Sequence, residues 1–369
     1  MKLMAITVPR AELVDALALC GSVAYRRGII PVLSNIKIDA PEGSEHVRIT
    51  ATDIDLTLDT HVSARIKNPG GTTIEHRALY GALRSLDADE ASIEVEPNKS
   101  VTVICGTARF TLPATGPEDF PTPPQVEPLA SVTFRSADLL PILHATAYAT
   151  ANDEREALAC VLLRVEKKRV DVAASDGNRL ALHAIAMHCE SARDAFIPRR
   201  AIAVIEKLTG DELTLAMDDS NVRVTAENAT LIARMPSGYY PDYRSAIKAS
   251  LDNRLLADRG RLLSMVRRAS SFANEKTRGL MFNIESGRVT VRSRHVERGA
   301  IEDYVPADYA GEAARVLLNG NYVADALSAI STDQVAVLFS GSDVQVQFLP
   351  EPPMETGEAL HVVMPMRID

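Results

Sequence analysis

The chain has 369 residues, of which 46% are hydrophobic and 24% charged, and its formal net charge is −9. This composition is ordinary for a globular protein, and the length predicts two or three domains. An acidic balance argues against a nucleic-acid partner if the charge is evenly spread. No apolar run approaches the ~20 residues of a membrane span, and the N-terminus lacks the pattern of a signal peptide. We therefore expect a cytoplasmic protein without a membrane partner.

Residues that commonly bind metals or nucleotides form no recognisable motif. The cysteines are scattered, without a C-x-x-C pair, and the histidines show no H-E-x-x-H spacing. Neither a phosphate-binding G-x-x-x-x-G-K-[ST] nor a dinucleotide-binding G-x-G-x-x-G is present. The sequence therefore predicts no metal site and no cofactor. The four cysteines, expected to be small core residues, are Cys20, Cys105, Cys160 and Cys189.

Apolar residues at helical spacings of three and four recur six times along the chain, with strand-like stretches between them. Ser136 and Asn319 stand where helix N-caps are expected, and Pro198 suits the first position of a helix. The six predicted helices lie near residues 9–27, 76–86, 136–154, 198–208, 254–272 and 319–330.

Two landmarks show that the chain repeats itself. Asp53 and Asp176 hold matching places between alternating apolar runs, 123 residues apart. Pro113 and Pro236 end similar strand pairs and are also 123 residues apart. A fixed period indicates tandem copies of one structural unit. The pattern predicts an α+β protein with three domains, each with two helices against strand-rich sheets. The predicted domains are 1–125, 126–250 and 251–369.

Ser175, Asp176 and His183 lie close together around a predicted hairpin turn and suggest nucleophilic catalysis. An activated serine needs a base within hydrogen-bonding reach and donors for an oxyanion. Asp53 occupies the matching turn of the first repeat without the serine and the histidine. The repeat therefore favours a structural role for the aspartate and predicts no catalytic residue. Hydrolysis by Ser175 remains the alternative.

Six strings, in order and spread over the whole chain, resemble the bacterial sliding clamps, the β subunits of DNA polymerase III. The resemblance implies three tandem clamp domains and a head-to-tail homodimeric ring whose helices line a central hole. It implies a non-enzymatic processivity factor that encircles duplex DNA. The strings are IIPVLSNI (29–36), ATDIDLTL (51–58), ASDGNRLAL (174–182), GYYPDYRSAI (238–247), ANEKTRGL (273–280) and HVVMPMR (361–367).

The resemblance also implies a hydrophobic pocket between the second and third domains. In the family this pocket binds short linear peptides of the replicative polymerase, the clamp loader, other polymerases and repair proteins. Methionines near the C-terminus would give it an adaptable surface. The matching residues are Leu158, Ser175, Gly177, Asn178, Arg179, Leu180, Pro241, Val362, Val363, Met364, Pro365, Met366 and Arg367.

A basic lumen would reconcile DNA binding with the acidic chain, because the six predicted helical segments together carry net positive charge. Contacts to phosphates position a protein on DNA without reading its sequence. By resemblance Arg27 matches a DNA-contacting arginine. Helix position adds Arg77, Arg84, Arg199, Arg200, Arg267, Arg268, Lys276 and Arg278.

By the same resemblance, Phe110 and Leu112 of one chain are expected to meet Ser271 and Phe272 of the partner. Basic charge near Arg109 would face acidic residues, which are Glu297, Glu302 and Asp303. The alternative is that Phe110 and Leu112 are core residues of an edge strand.

Several positions depart from the family pattern. Asn178 stands where histidine is common, and Ser245 where some members have a second arginine. A divergent clamp with altered partner choice is therefore the second hypothesis.

Overall fold

The computed structural model describes residues 3–24, 30–97, 100–152, 157–295, 297–354 and 357–367. These residues form two compact units, one made of residues up to Leu139 together with Arg200–Met235, the other of Leu140–Arg199 and the chain from Pro236 onward. The helices are α1 (Arg10–Cys20), α2 (His76–Leu83), α3 (Ser136–Ala147), α4 (Arg199–Ile205), α5 (Arg259–Ser270) and α6 (Gly320–Ala329).

The strands, in chain order, begin with β1 (Met4–Pro9), β2 (Asn35–Ala40), β3 (His46–Thr52), β4 (Leu56–Ser63), β5 (Arg65–Asn68), β6 (Gly70–Glu75), β7 (Glu90–Val95), β8 (Ser100–Cys105), β9 (Ala108–Thr115), β10 (Ala130–Arg135), β11 (Cys160–Glu166), β12 (Arg169–Ser175) and β13 (Arg179–Ile185). They continue with β14 (Arg193–Pro198), β15 (Glu212–Met217), β16 (Asn221–Thr225), β17 (Ala229–Arg234), β18 (Asn253–Asp258), β19 (Gly279–Glu285), β20 (Arg288–His295), β21 (Gly299–Asp308), β22 (Ala314–Asn319), β23 (Gln334–Phe339), β24 (Val346–Glu351) and β25 (Gly357–Val363).

Each unit contains one continuous antiparallel sheet, counted over the described residues. The first unit has 13 strands in the order β10-β15-β16-β17-β4-β3-β2-β6-β9-β8-β7-β1-β5. The second has 12 strands in the order β14-β11-β12-β13-β25-β24-β23-β18-β21-β20-β19-β22. Both sheets join strands that are distant in sequence, because β17 pairs with β4 and β25 pairs with β13. Pairing across these joins satisfies strand edges that would otherwise be open.

The six helices found in the described residues each follow directly on a strand, and the last strand residue often caps the helix. The Asp258 side chain accepts a hydrogen bond from the Arg261 N–H at 2.7 Å, and the Asn319 side chain accepts from Tyr322. The cap predicted at Asn319 is confirmed. The one predicted at Ser136 is wrong, because Ser136 is already helical and its hydroxyl donates to the Gly210 carbonyl at 2.6 Å.

Apolar helix faces cover the sheets and form the cores. In α1, Leu13, Leu17 and Cys20 are buried, and in α5 Leu262 and Val266 join the core of the second unit. All four cysteines are buried free thiols. Within the described chain, no helix combines the length and apolarity needed to cross a membrane.

Candidate functional site

The stretch Ser175–Arg179, here called the pocket turn, links β12 to β13 through side-chain hydrogen bonds. The Ser175 hydroxyl donates to the Arg179 carbonyl at 2.8 Å and accepts from the Gly177 N–H at 3.1 Å. Asp176 Oδ1 accepts from the N–H groups of Asn178 and Arg179 at 2.9 and 3.1 Å. Gly177 has φ +88°, which suits glycine. The serine and the aspartate therefore hold the turn.

The same geometry separates Ser175 from His183. His183 lies opposite Val172 in the β12–β13 ladder, whereas Ser175 lies opposite Leu180. Both ring nitrogens of His183 are buried without a hydrogen-bond partner among the described residues. Burial lowers the pKa of His183 to about 4. Since Ser175 already bonds to the main chain, this arrangement gives its hydroxyl no base.

A separate apolar cluster lies beside the pocket turn. Leu180 faces Val362 across the β13–β25 ladder, and both are buried. The Tyr240 hydroxyl accepts from the Ser175 N–H at 2.9 Å, which fixes the stretch 238–247 near the turn. The buried members of the cluster are Leu162, Ala173, Leu180, Leu182, Tyr240, Tyr243 and Val362, with Ala157, Leu158, Phe196, Ile247 and Leu360 partly buried against them.

The C-terminal segment borders this cluster. The Met364 N–H donates to the Asn178 carbonyl at 2.8 Å, and the Met366 N–H donates to the Leu317 carbonyl at 2.8 Å. Met364 is 43% exposed, while Pro365 and Met366 are half-buried and Arg367 is exposed. The structure therefore gathers the pocket turn, Leu158, Leu180 and the segment from Val362 onward into one region.

Two assignments within the predicted pocket need refinement. Val363 is fully buried in the core around β18–β24, whereas Val362 belongs to the apolar cluster. Neighbouring residues of a strand face opposite sides, so the Val363 side chain packs in that core while the Val362 side chain packs in the apolar cluster. Pro241 is exposed, and sequence reasoning overlooked its neighbour Tyr240. Paired aromatics in GYYPDYR were the available signal, because a buried tyrosine needs a hydroxyl partner.

A buried carboxylate anchors the 238–247 stretch. Asp171 accepts hydrogen bonds from the Tyr243 hydroxyl at 2.5 Å, from Arg244 Nη2 at 2.6 Å and from Arg169 Nε at 2.5 Å. Burial works to raise the pKa of Asp171, but these hydrogen bonds outweigh it and lower the pKa below its ordinary value. Paired in this way, the buried charge fixes the stretch against β12.

The predicted DNA-facing residues lie on or just after helices. Arg77, Arg84, Arg199, Arg200, Arg267, Arg268 and Lys276 are exposed, Arg278 is half-buried, and Arg27 lies outside the described residues. Two of these side chains pair with carboxylates. Arg200 bonds to the buried Asp53, and Arg268 Nη2 lies 2.6 Å from Asp303. The predicted DNA-facing residues thus differ in how much of their positive charge is neutralised by a paired carboxylate.

Besides the terminal strands of the two sheets, β9 and β21 have long edges that no described strand pairs. β9 pairs with β8 from Ala108 to Pro113, but with β6 only at Ala114 and Thr115. β21 pairs with β20 from Gly299 to Pro306, but with β18 only at Ala307 and Asp308. Open edges of this kind bind further strands. Of the predicted interface residues, Phe110, Leu112 and Phe272 are half-buried and Ser271 is exposed.

Repeated strand–helix units that share continuous antiparallel sheets, with an apolar cluster at one join, define a DNA-clamp fold. Among the described residues, no group of three or more His, Cys, Asp or Glu is placed to hold a metal.

Family models of the DNA polymerase III beta subunit match the chain three times. The N-terminal domain matches residues 4–124, the central domain 134–242 and the C-terminal domain 244–367. The chain belongs to the DNA polymerase III beta subunit family.

Individual relatives agree over the full length. The chain is 27% identical to a beta sliding clamp of Pseudomonas putida over 375 aligned positions, covering 99% of this chain and 100% of the relative. A crystal structure of the DNA polymerase III subunit beta from Pseudomonas aeruginosa superposes with a TM-score of 0.93 at 28% identity, covering 99% and 100% of the two chains. A second structure from that organism, bound to griselimycin, gives 0.92 at 27% identity with the same coverage. The predicted family and clamp fold are confirmed.

Proposed function

We propose that this protein is a sliding clamp that encircles duplex DNA and tethers the replicative polymerase to its template. Tethering raises the effective concentration of the polymerase at the DNA and so confers processivity. Membership of the beta-subunit family supports this function. The structural observation that supports it most directly is the apolar cluster beside the pocket turn. The protein would act without catalysis, in the cytoplasm and on the nucleoid.

The proposed working form is a head-to-tail homodimeric ring of six domains, with boundaries at 1–125, 126–250 and 251–369. The open edges of β9 and β21 support it, because each offers unpaired backbone groups to a partner strand. The exposed Arg109 on β9 and the acidic Glu302 and Asp303 on β21 have complementary charge. Phe110 and Leu112 would pack against Ser271 and Phe272 of the partner.

Helices would line the hole of this ring and face the DNA. The observed helices carry net positive charge on an acidic chain, most of it on α4 and α5. A few exposed arginines attract phosphates without reading bases, which suits a protein that must slide. Acidic surfaces elsewhere would repel DNA from other approaches.

The pocket would take short peptides from the polymerase, the clamp loader, other polymerases and repair proteins. Leu158, Leu180 and Val362 provide its apolar wall, and Met364 an adaptable rim. Griselimycin is bound to the Pseudomonas aeruginosa clamp, and in this protein it would occupy the proposed pocket.

Solution mass and retention on DNA test the ring directly. Light scattering should give twice the 40.0 kDa of one chain. After loading by a clamp loader, the protein should stay on primed circular DNA and leave once the circle is linearised. A monomer that never stays on circles would contradict the ring.

A divergent clamp with altered partner choice is the second candidate. The Ser245 hydroxyl donates to the Asp242 carbonyl at 2.7 Å, so this position serves a local turn and offers no cation. Ring formation combined with weak binding of griselimycin and of peptides from clamp partners would favour this candidate.

A further inference from the structure

The Arg179 guanidinium is held between two aromatic rings and two carboxylates. Its guanidinium carbon lies 4.5 Å from the ring centre of Tyr322 and 5.3 Å from that of Tyr148. Its Nε donates to Asp176 Oδ2 at 3.0 Å, and its Nη1 donates to Asp325 Oδ2 at 2.5 Å. The side chain is only 13% exposed. Two aromatic rings and two carboxylates therefore bind the Arg179 guanidinium, which a ligand would otherwise contact.

These contacts join separate segments of the second unit. Asp176 belongs to the pocket turn, Tyr148 follows α3, and Tyr322 and Asp325 lie on α6. We call Arg179 and these four partners the Arg179 latch. The Tyr148 hydroxyl extends it to β25 through a hydrogen bond of 3.0 Å with His361 Nδ1.

The backbone of Arg179 connects the latch to the pocket wall. Arg179 lies opposite Val363 in the ladder, next to the Leu180–Val362 pair. Its carbonyl accepts the Ser175 hydroxyl, and the adjoining Asn178 carbonyl accepts the Met364 N–H. A change in the position of Arg179 would therefore displace both the pocket turn and the segment that follows β25.

We propose that Arg179 is a positioning residue, which sets the pocket by fixing the pocket turn to α6 and does not itself contact the peptide. This proposal rests on the peptide pocket of the proposed function. Lysine would not replace Arg179, because an ammonium group cannot stack between two rings while bonding to two carboxylates. The expected consequence is that ligand affinity depends on Asp325, a residue that faces Arg179 from α6.

A double-mutant cycle separates positioning from direct contact. Griselimycin binding is measured by calorimetry on Arg179→Gln, Asp325→Asn and the double variant. Groups in direct contact are energetically coupled, so positioning predicts about 10-fold weaker binding for Arg179→Gln, about 3-fold for Asp325→Asn, and about 10-fold for the double variant. If Arg179 contacts the ligand directly, Asp325→Asn frees the charge of the Arg179 guanidinium, and ligand binding is unchanged or tighter. That result would overturn the proposal.

The pair Arg288–Glu285 supplies the matched control. It is an ion pair of 2.7 Å in the same unit, at the β19–β20 hairpin and outside the latch. Arg288→Gln and Glu285→Gln should leave griselimycin affinity unchanged. Arg179→Lys should bind as weakly as Arg179→Gln, and recovery of wild-type affinity in this variant would contradict the stacked geometry.

Hydrogen exchange tests the latch without a ligand. In Arg179→Gln and Asp325→Asn, the amide of Met364 should exchange several-fold faster, because its acceptor Asn178 is released. The hairpin variants should show no such change. Unchanged exchange in both latch variants would overturn the proposal. If the wild-type protein does not bind griselimycin, the griselimycin assignment of the proposed function fails, and the exchange data still decide whether the latch exists.

Discussion

Asp53 and Asp176, 123 residues apart, cap the same type of turn in two different units. Asp53 Oδ1 accepts the Leu56 N–H at 2.8 Å, and Asp176 Oδ1 accepts the Arg179 N–H at 3.1 Å. The second carboxylate oxygen of each binds an arginine, Arg200 for Asp53 and Arg179 for Asp176. The internal repeat thus preserves the backbone cap, whereas the arginine partner comes from non-equivalent positions, three residues from Asp176 and 147 residues from Asp53.

Asp53→Ala should lower the free energy of unfolding by about 3 kcal/mol, because it removes a buried partner and the cap of the turn. The Asp53 side chain is 1% exposed, so water cannot replace these bonds at low cost. Chemical denaturation measures the loss. Asp55→Ala, at an exposed position of the same turn, is the control and should change the value by less than about 0.5 kcal/mol.

Ile54 and Gly177 occupy equivalent turn positions with φ +83° and +88°. A β-branched residue is strained at positive φ. We expect Ile54→Asn to stabilise the protein by about 1 kcal/mol, since asparagine tolerates this region. Gly177→Ala should cost about 1 kcal/mol through the backbone alone, because a Cβ there meets no atom within 4 Å. Equilibrium denaturation of both variants measures the two changes in unfolding free energy. A loss of stability in Ile54→Asn would contradict the proposed backbone strain at Ile54.

The buried His183 should make stability depend on pH. Its pKa is about 4 when folded and about 6.5 when unfolded. Between these values the unfolded chain binds a proton that the folded chain does not, so stability decreases as the pH falls from about 6.5 to 4. Burial and the neighbouring His183 lower the pKa of His361 to about 3, in the same direction.

His183→Phe should therefore reduce the slope of unfolding free energy against pH by roughly 1 kcal/mol per unit within this window. Denaturation at a series of pH values between 7 and 4 measures the slope. The exposed His188→Gln is the control, and an equal slope in the wild type and His183→Phe would refute the prediction.

Arg267 and Arg268 are adjacent on α5 but should differ in DNA binding. Arg268 is paired with Asp303, whereas Arg267 donates to the neutral Ser328 hydroxyl at 3.2 Å. Arg267→Gln should reduce the slope of log affinity against log salt by about 0.9, and Arg268→Gln by less. Affinity for a short linear duplex over a range of salt concentrations tests this, because retention on a circle would mask the difference. Equal effects would show that Asp303 does not offset Arg268.

Sequence periodicity predicted the helices well where a strand end and a cap coincide, as at Asn319. It placed the start of the fifth helix too early, near residue 254. The stretch Asn253–Asp258 is a strand whose buried Leu255 and Ala257 alternate with more exposed residues. Pairing with β23 makes this stretch a strand. A short apolar run in the sequence cannot reveal a partner strand some 80 residues away.

The pocket was predictable only in part. The Asp-Gly turn and the apolar C-terminus were visible in the sequence as separate features. Their meeting depends on the β13–β25 ladder, and the side on which Val363 points depends on its register. The enclosure of Arg179 was equally hidden, because its four partners come from three different segments of the chain.

The sharing of each sheet between distant segments also bears on biosynthesis. The first sheet cannot be completed until residue 234 has been made, although its other strands come mostly from the first 115 residues. Strands β11–β14 emerge before β17, yet the ladder that joins them to the rest of their sheet requires β25 near the end of the chain. Nascent chains must therefore keep the edges of β4 and β13 unpaired during translation. A truncated fragment that ends at the first sequence repeat, residues 1–125, should aggregate through the unpaired edge of β4.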